Sequence, residues 1–158
     1  MIIGDGDIAS ILPHREDLLF FASGVSNSKE TRESEYLREL KLLCRQYKTK
    51  HIVYFSSLSI FYANNRYQQH KRAMEALIKE KFKKYTIIRI GNITWGKNPH
   101  TLINYLKAHP KAKIKDVYRY ICDKEELLHW INLIPSWSCE MNIPGQRLKV
   151  AEIVKKYG

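Results

Sequence analysis

The sequence predicts an α/β fold, a three-layer sandwich with a mostly parallel sheet. Short runs rich in β-branched and aromatic residues alternate with amphipathic helical stretches along the whole chain. Residues 18–22, 51–55 and 85–90 are apolar at most positions rather than at every second one, as in strands covered on both faces. The stretches between them are long enough for crossover helices, which implies parallel pairing, right-handed connections and helices on both faces.

In chain order, residues 1–3 read as a short strand running into Gly4-Asp5-Gly6-Asp7-Ile8-Ala9, and Pro13 stops the following helix after barely a turn. Leu18 to Ala22 form a central strand ended by Ser23-Gly24. Over residues 29–47, Tyr36, Leu37, Leu40, Leu43 and Cys44 recur at three- and four-residue intervals on a charged background, the pattern of an amphipathic helix. A strand at 51–55 reaches Ser56-Ser57, and a turn holding Asn64-Asn65 leads into a helix over 67–82 with Met74, Leu77, Ile78 and Phe82 as its core stripe. The strand at 85–90 closes at Gly91-Asn92, and a helix over 101–108 stops before Pro110. A strand at 117–121, a helix at 124–133 begun by Asp123, a short strand at 141–145 and a helix at 150–157 complete the alternation.

A length of 158 residues suits one domain, and 44% hydrophobic residues are enough for one core. There is no repeat, linker or low-complexity tract, and no run of about 18 apolar residues. The start at Met1 lacks the basic and apolar regions of a secretory signal, so a soluble, cytoplasmic protein is expected, with no membrane partner. Three dispersed cysteines and six dispersed histidines match neither a disulfide framework nor metal-ligand spacing, so reduced, mostly buried thiols and no metal are expected. The charge of +11, from 27 Lys and Arg against 16 Asp and Glu, suits either a solvated basic surface or a polyanion site. Many of the lysines fall at apparent helix ends, which favours the first, and the chain has no RNA-binding aromatic motif or helix-turn-helix pattern.

Two local patterns carry chemistry. Gly4-x-Gly6-x-x-Ala9 has the spacing that lets a strand turn into a helix and brings backbone N–H groups to a pyrophosphate; a plain glycine-rich turn fits as well. Asp5 and Asp7 put negative charge in that turn. Tyr67 and Lys71, four residues apart on a helix, share a face, so the ammonium is expected to lower the tyrosine pKa and make it a usable acid or base. Ser57, at the carboxyl end of the preceding strand, is placed to bond the same substrate oxygen.

Taken in order, Gly4-Asp5-Gly6-Asp7-Ile8-Ala9, Phe20-Phe21-Ala22-Ser23-Gly24, Tyr54-Phe55-Ser56-Ser57, Tyr67-x-x-x-Lys71 and Arg89-Ile90-Gly91-Asn92-Ile93-Thr94-Trp95-Gly96 resemble the extended short-chain dehydrogenases/reductases, the NAD-dependent epimerase/dehydratase family. The resemblance covers most of the chain and implies a Rossmann-like fold. It makes Tyr67 the acid/base, Lys71 its partner that also touches the nicotinamide ribose, and Ser57 the orienting hydroxyl. Gly4, Asp5, Gly6, Ile8, Ala22, Ser23 and Gly24 would hold the cofactor, NAD or NADP, while Ser59, Asn92 and Arg119 would join Ser57 on the substrate side, toward a hydroxyl- or carbonyl-bearing small molecule such as a nucleotide-sugar. The part from about residue 97 resembles a reduced substrate-binding region. The resemblance also implies a homodimer through the helices at 29–47 and 67–82.

The departures are equally specific. Only about ten residues separate the glycine turn from the strand at 18–22, where the family has two further strands and helices, so the half of the sheet that holds adenosine is missing. A dinucleotide is then expected to bind weakly, through its nicotinamide half or with help from another subunit, or not at all. Three functions stay open: an NAD(P)-dependent oxidoreductase, epimerase or dehydratase; a cofactor-independent proton-transfer or elimination enzyme in the same cleft; and a non-catalytic module that binds a nucleotide or nucleic acid.

Overall fold

A computed structural model describes residues 1–158. The chain runs β1 (Ile2–Ile3), a 3-10 turn at Ala9–Ile11, β2 (Leu19–Phe21), α1 (Glu33–Cys44), β3 (His51–Ser57), a second 3-10 turn at Leu58–Phe61 and α2 (Arg66–Lys81). It continues through β4 (Lys84–Ile90), β5 (Asn92–Ile93), α3 (Leu102–Ala108), β6 (Tyr118–Cys122), α4 (Lys124–Asn132), β7 (Cys139–Ile143), β8 (Gln146–Lys149) and α5 (Val150–Tyr157). The elements expected from periodicity are present, most within a few residues of their expected limits.

Five strands form one parallel sheet in the order β1-β2-β3-β4-β7, with Val53 opposite both Phe20 and Thr86. Side chains alternate between its faces, and each face has its own core. Leu19, Phe21, Ile52, Tyr54 and Ile87 point toward α1 and α2, where Leu43, Met74 and Ile78 meet them. Phe20, Val53, Phe55, Ile88 and Ile143 point the other way, against Leu127 and Ile131 of α4 and the half-buried Ile8, Ile11 and Leu12. The result is the expected three-layer sandwich.

Handedness departs from expectation. From β1 to β4 every connection steps in the same direction across the sheet. The connection at Ala9–Ile11 lies on one face, whereas α1 and α2 lie on the other. Connections that step alike on opposite faces have opposite hands, so the crossovers cannot all be right-handed. With only a three-residue helical turn between β1 and β2, the chain has no crossover helix there to enforce the usual hand.

The second sheet, β5-β6-β8, is not evident from periodicity, because β5 has two residues and β8 alternates charge rather than apolarity. Its β6–β8 pair is antiparallel, and Ile121 packs with Ile103 of α3 and Ile153 of α5. Gly91 lets β6 approach: a Cβ there would stand 2.6 Å from the Tyr120 carbonyl oxygen. Asp123 takes the N-cap position of α4, yet its carboxylate accepts from Thr94 Oγ1 at 2.7 Å, which fastens β5 to α4. Only one cysteine, Cys122, is buried, since Cys44 is exposed and Cys139 half-buried. No helix is long and apolar enough to cross a membrane.

Candidate functional site

Strands β2, β3 and β4 end together, and their carboxyl ends open into a cleft of about 800 Å³. Clefts at this edge of an open parallel sheet are where ligands bind. The glycine turn contributes Asp5, Gly6 and Ile8 to its lining, and the end of β2 contributes Ala22, Ser23 and Gly24. Ser57, Ser59, Tyr67 and Lys71 come from β3, the turn after it and α2, while Asn92 and Arg119 come from the second sheet. Among the residues expected to hold cofactor or substrate or to act in catalysis, Gly4 alone does not line the cleft. Its φ of +122° and the lack of room for a Cβ beside the Ala22 carbonyl explain the glycine as a close β1–β2 approach.

Lys71 is the deepest of the group, at 2% exposure. Its Nζ donates to Glu39 Oε1 and to Tyr54 Oη, each at 3.2 Å, and lies 5.5 Å from the centre of the Tyr67 ring. Gly24 makes this possible, since a Cβ there would stand 2.6 Å from Nζ. Glu39 is fully enclosed and also accepts from Val25 N at 2.7 Å and from the Tyr54 hydroxyl. Burial alone would raise its pKa, but the Lys71 ammonium, the nearby His70 ring and the hydrogen bond from Tyr54 outweigh it and hold the carboxyl well below its ordinary value. His70 Nε2 lies 3.1 Å from Glu39 Oε1 but off the line of a good hydrogen bond, and it has no other partner.

This arrangement reverses the pKa expectation for Tyr67. Burial pushes its phenol above the ordinary value; Lys71 and the Ser57 hydroxyl pull it back, and Glu39 adds to the rise. An ammonium already facing a carboxylate attracts a second anion less than a free one would. Near neutral pH the Tyr67 hydroxyl is therefore protonated.

Ser57 belongs to a chain of polar contacts. Its Oγ lies 2.8 Å from Ser59 Oγ and accepts from Ser59 N at 3.1 Å, while Gln68 Nε2 donates to Ser59 Oγ at 3.1 Å. Gln68 also reaches back to the Asn65 N–H at the start of α2, at 2.9 Å, so the helix cap and the serine pair are fixed together.

The opposite rim is built differently. Both Asp7 carboxylate oxygens accept backbone N–H groups, Lys97 and Asn98, at 2.9 Å each, and Asp7 O accepts from Trp95 Nε1 at 2.9 Å. Asp7 thus ties the glycine turn to the loop after β5 instead of presenting a free charge to a phosphate, contrary to the sequence expectation. Asn92 Nδ2 donates to Tyr120 O at 3.0 Å and Arg119 Nη1 to Tyr118 O at 2.9 Å, so both carry structural bonds at the cleft wall. No group of three or more His, Cys, Asp or Glu side chains is placed to hold a metal ion.

Glu39 and Tyr54 were not singled out in the sequence. A signal was present for Glu39: it stands three residues after Tyr36 and four before Leu43, inside the apolar stripe of α1, where a carboxylate needs a buried partner. Arg38 likewise enters the cleft wall, donating to Ser23 O at 2.9 Å and Ser23 Oγ at 3.2 Å.

No family model matches the sequence, and no curated protein is similar to it. Solved structures do share its fold. The Bordetella bronchiseptica enzyme WbmG in complex with NAD is 15% identical at a TM-score of 0.69, over 88% of this chain and 54% of that one. A dTDP-4-dehydrorhamnose reductase from Bacillus anthracis in complex with NADP is 17% identical at a TM-score of 0.67, over 89% of this chain and 60% of its own. A UDP-galactose 4-epimerase is 14% identical at a TM-score of 0.60, over 88% and 60%. The fold is thus shared with an NAD-bound enzyme, an NADP-bound reductase and an epimerase, and the chain spans a little over half the length of these proteins.

Proposed function

We propose that this chain is a short-chain dehydrogenase/reductase-type enzyme acting on a hydroxyl- or carbonyl-bearing small molecule, with a nucleotide-sugar as the leading candidate. The observation that carries the reading is the convergence of Ser57, Tyr67 and Lys71 on one cleft at the carboxyl ends of β2 to β4. A substrate carbonyl oxygen facing Tyr67 and Ser57 would take the phenolic proton, with Ser57 donating a second hydrogen bond to hold it in place. The phenolate left behind is stabilised by the Lys71 ammonium, which Glu39 and Tyr54 fix beneath the ring. A nicotinamide ring bound beside Gly24 would supply the hydride to the carbonyl carbon.

The fit to that group is partial, since the Lys71 ammonium expected at the nicotinamide ribose is 2% exposed and held by Glu39 and Tyr54. Gly24 and Tyr67 line the cleft where a nicotinamide riboside would sit; the turn at Gly4 to Ile8, followed by a three-residue helical turn, does not offer a pyrophosphate the N-terminus of a real helix. The same observation favours a second reading, proton transfer or elimination without a dinucleotide.

The test is turnover of UDP- and dTDP-4-keto-hexoses with and without NADH or NADPH, followed by mass spectrometry of the sugar. Tyr67→Phe should lower the rate by about 10²- to 10⁴-fold while keeping the folded state. Turnover that depends on Tyr67 but needs no nicotinamide would select the second reading, and turnover indifferent to Tyr67→Phe would remove both.

A further inference from the structure

We propose that the cleft takes a single mononucleotide, with nicotinamide mononucleotide as its representative, and that the adenylate half of a dinucleotide adds nothing to binding. The inference rests on the reading of the cleft as a nicotinamide-type site and specifies how much of such a ligand the chain can hold.

Strand order carries the case. Sheets that bind dinucleotides are built from two mononucleotide-binding halves, and the ligand lies across the crevice where strand order reverses. Here β1, β2, β3, β4 and β7 follow one another in order and β1 is an edge strand, so the sheet has no second half on the far side of β1. A second half would need strands in the connection between β1 and β2. That connection holds only the 3-10 turn at Ala9–Ile11, which packs under the sheet against the Phe20 and Val53 core.

Phosphate chemistry agrees. A pyrophosphate is normally met by aligned N–H groups at the start of a helix, and three residues of 3-10 helix supply neither the dipole nor the N–H cluster. The turn's own acidic residues are set against a second phosphate: Asp5 is exposed on the cleft wall, and Asp7 closes the turn onto Lys97 and Asn98. Cations for a single phosphate stand at separate places on the wall, Arg38 on α1, Lys97 after β5 and Arg119 on β6. The cleft, at about 800 Å³, lies within the range of roughly 300–1,000 Å³ usual for small-ligand pockets.

Saturation-transfer NMR and calorimetry with the intact chain test this, using nicotinamide mononucleotide, NAD and ADP-ribose as probes. The mononucleotide and NAD should bind with dissociation constants within about threefold of each other, ADP-ribose should not bind at the same concentration, and saturation should reach the nicotinamide and its ribose in NAD but not the adenine protons. NAD binding more than about tenfold tighter than the mononucleotide, or adenine protons saturated as strongly as nicotinamide protons, would overturn the inference while leaving the nicotinamide reading intact. Binding by neither would overturn both.

Discussion

On the α1/α2 side of the cleft, Glu39, Lys71 and Tyr54 are sealed from solvent and bonded to one another, whereas on the glycine-turn side Gly4, Asp5 and Gly6 stand exposed and Asp7 spends its carboxylate on a neighbouring loop. The first wall is fixed by packing before any ligand arrives. The second is a short link whose side-chain tie to the neighbouring loop is the Asp7 carboxylate. The contrast teaches that the wall carrying Ser57, Tyr67 and Lys71 is packed and bonded, while the glycine turn is reduced to a short link between β1 and β2.

The largest effect should come from breaking the buried cluster. Glu39→Ala leaves the Lys71 ammonium in the interior without its carboxylate, and chemical denaturation should show a loss of about 3–5 kcal/mol, or no folded protein at all. Glu39→Leu combined with Lys71→Met removes both charges and should recover most of that loss; a double variant as unstable as the single one would contradict the ion-pair account. Acid titrates the same contact. Because the folded Glu39 carboxyl lies below its unfolded value of 4.5, its contribution is present above that pH and declines as pH falls through the folded value. Wild type should therefore lose stability more steeply than the double variant below about pH 4.5 in denaturation curves taken across that range.

On the weaker wall, Asp7→Ala removes two charge-assisted contacts that are partly open to solvent, for an expected loss of about 1–2 kcal/mol. Amide exchange should quicken at Lys97 and Asn98 and leave the amides of β3 and α2 unchanged. Faster exchange throughout β3 would mean that the two walls are not independent.

Much of this contrast was legible in the sequence, and the reasons are physical. Apolar runs at β2, β3 and β4 that are short and rich in β-branched and aromatic residues mark strands covered on both faces, and the four-residue spacing of Tyr67 and Lys71 puts them on one side of α2 wherever that helix packs. The short interval between Gly6 and Leu18 exposed the missing strands directly. The second sheet was hidden because Asn92–Ile93 is too short for any periodicity and Gln146–Lys149 presents Arg147 and Lys149 where an apolar residue would have marked a face. The reversal at Tyr67 was hidden for another reason. Spacing shows that an ammonium is near, but not the burial that contributes most to the rise, nor the carboxylate from a different helix, Glu39, that faces the ammonium.

The titration of Tyr67 itself is the most direct test, and it needs no substrate. With fluorotyrosine incorporated throughout and the Tyr67 signal assigned by its disappearance in Tyr67→Phe, ¹⁹F NMR should place the Tyr67 midpoint above that of free fluorotyrosine and should move it down in Glu39→Gln. A Tyr67 midpoint below that of the free amino acid in the wild-type chain would contradict the assignment of Tyr67 as a proton donor whose lysine is held by Glu39.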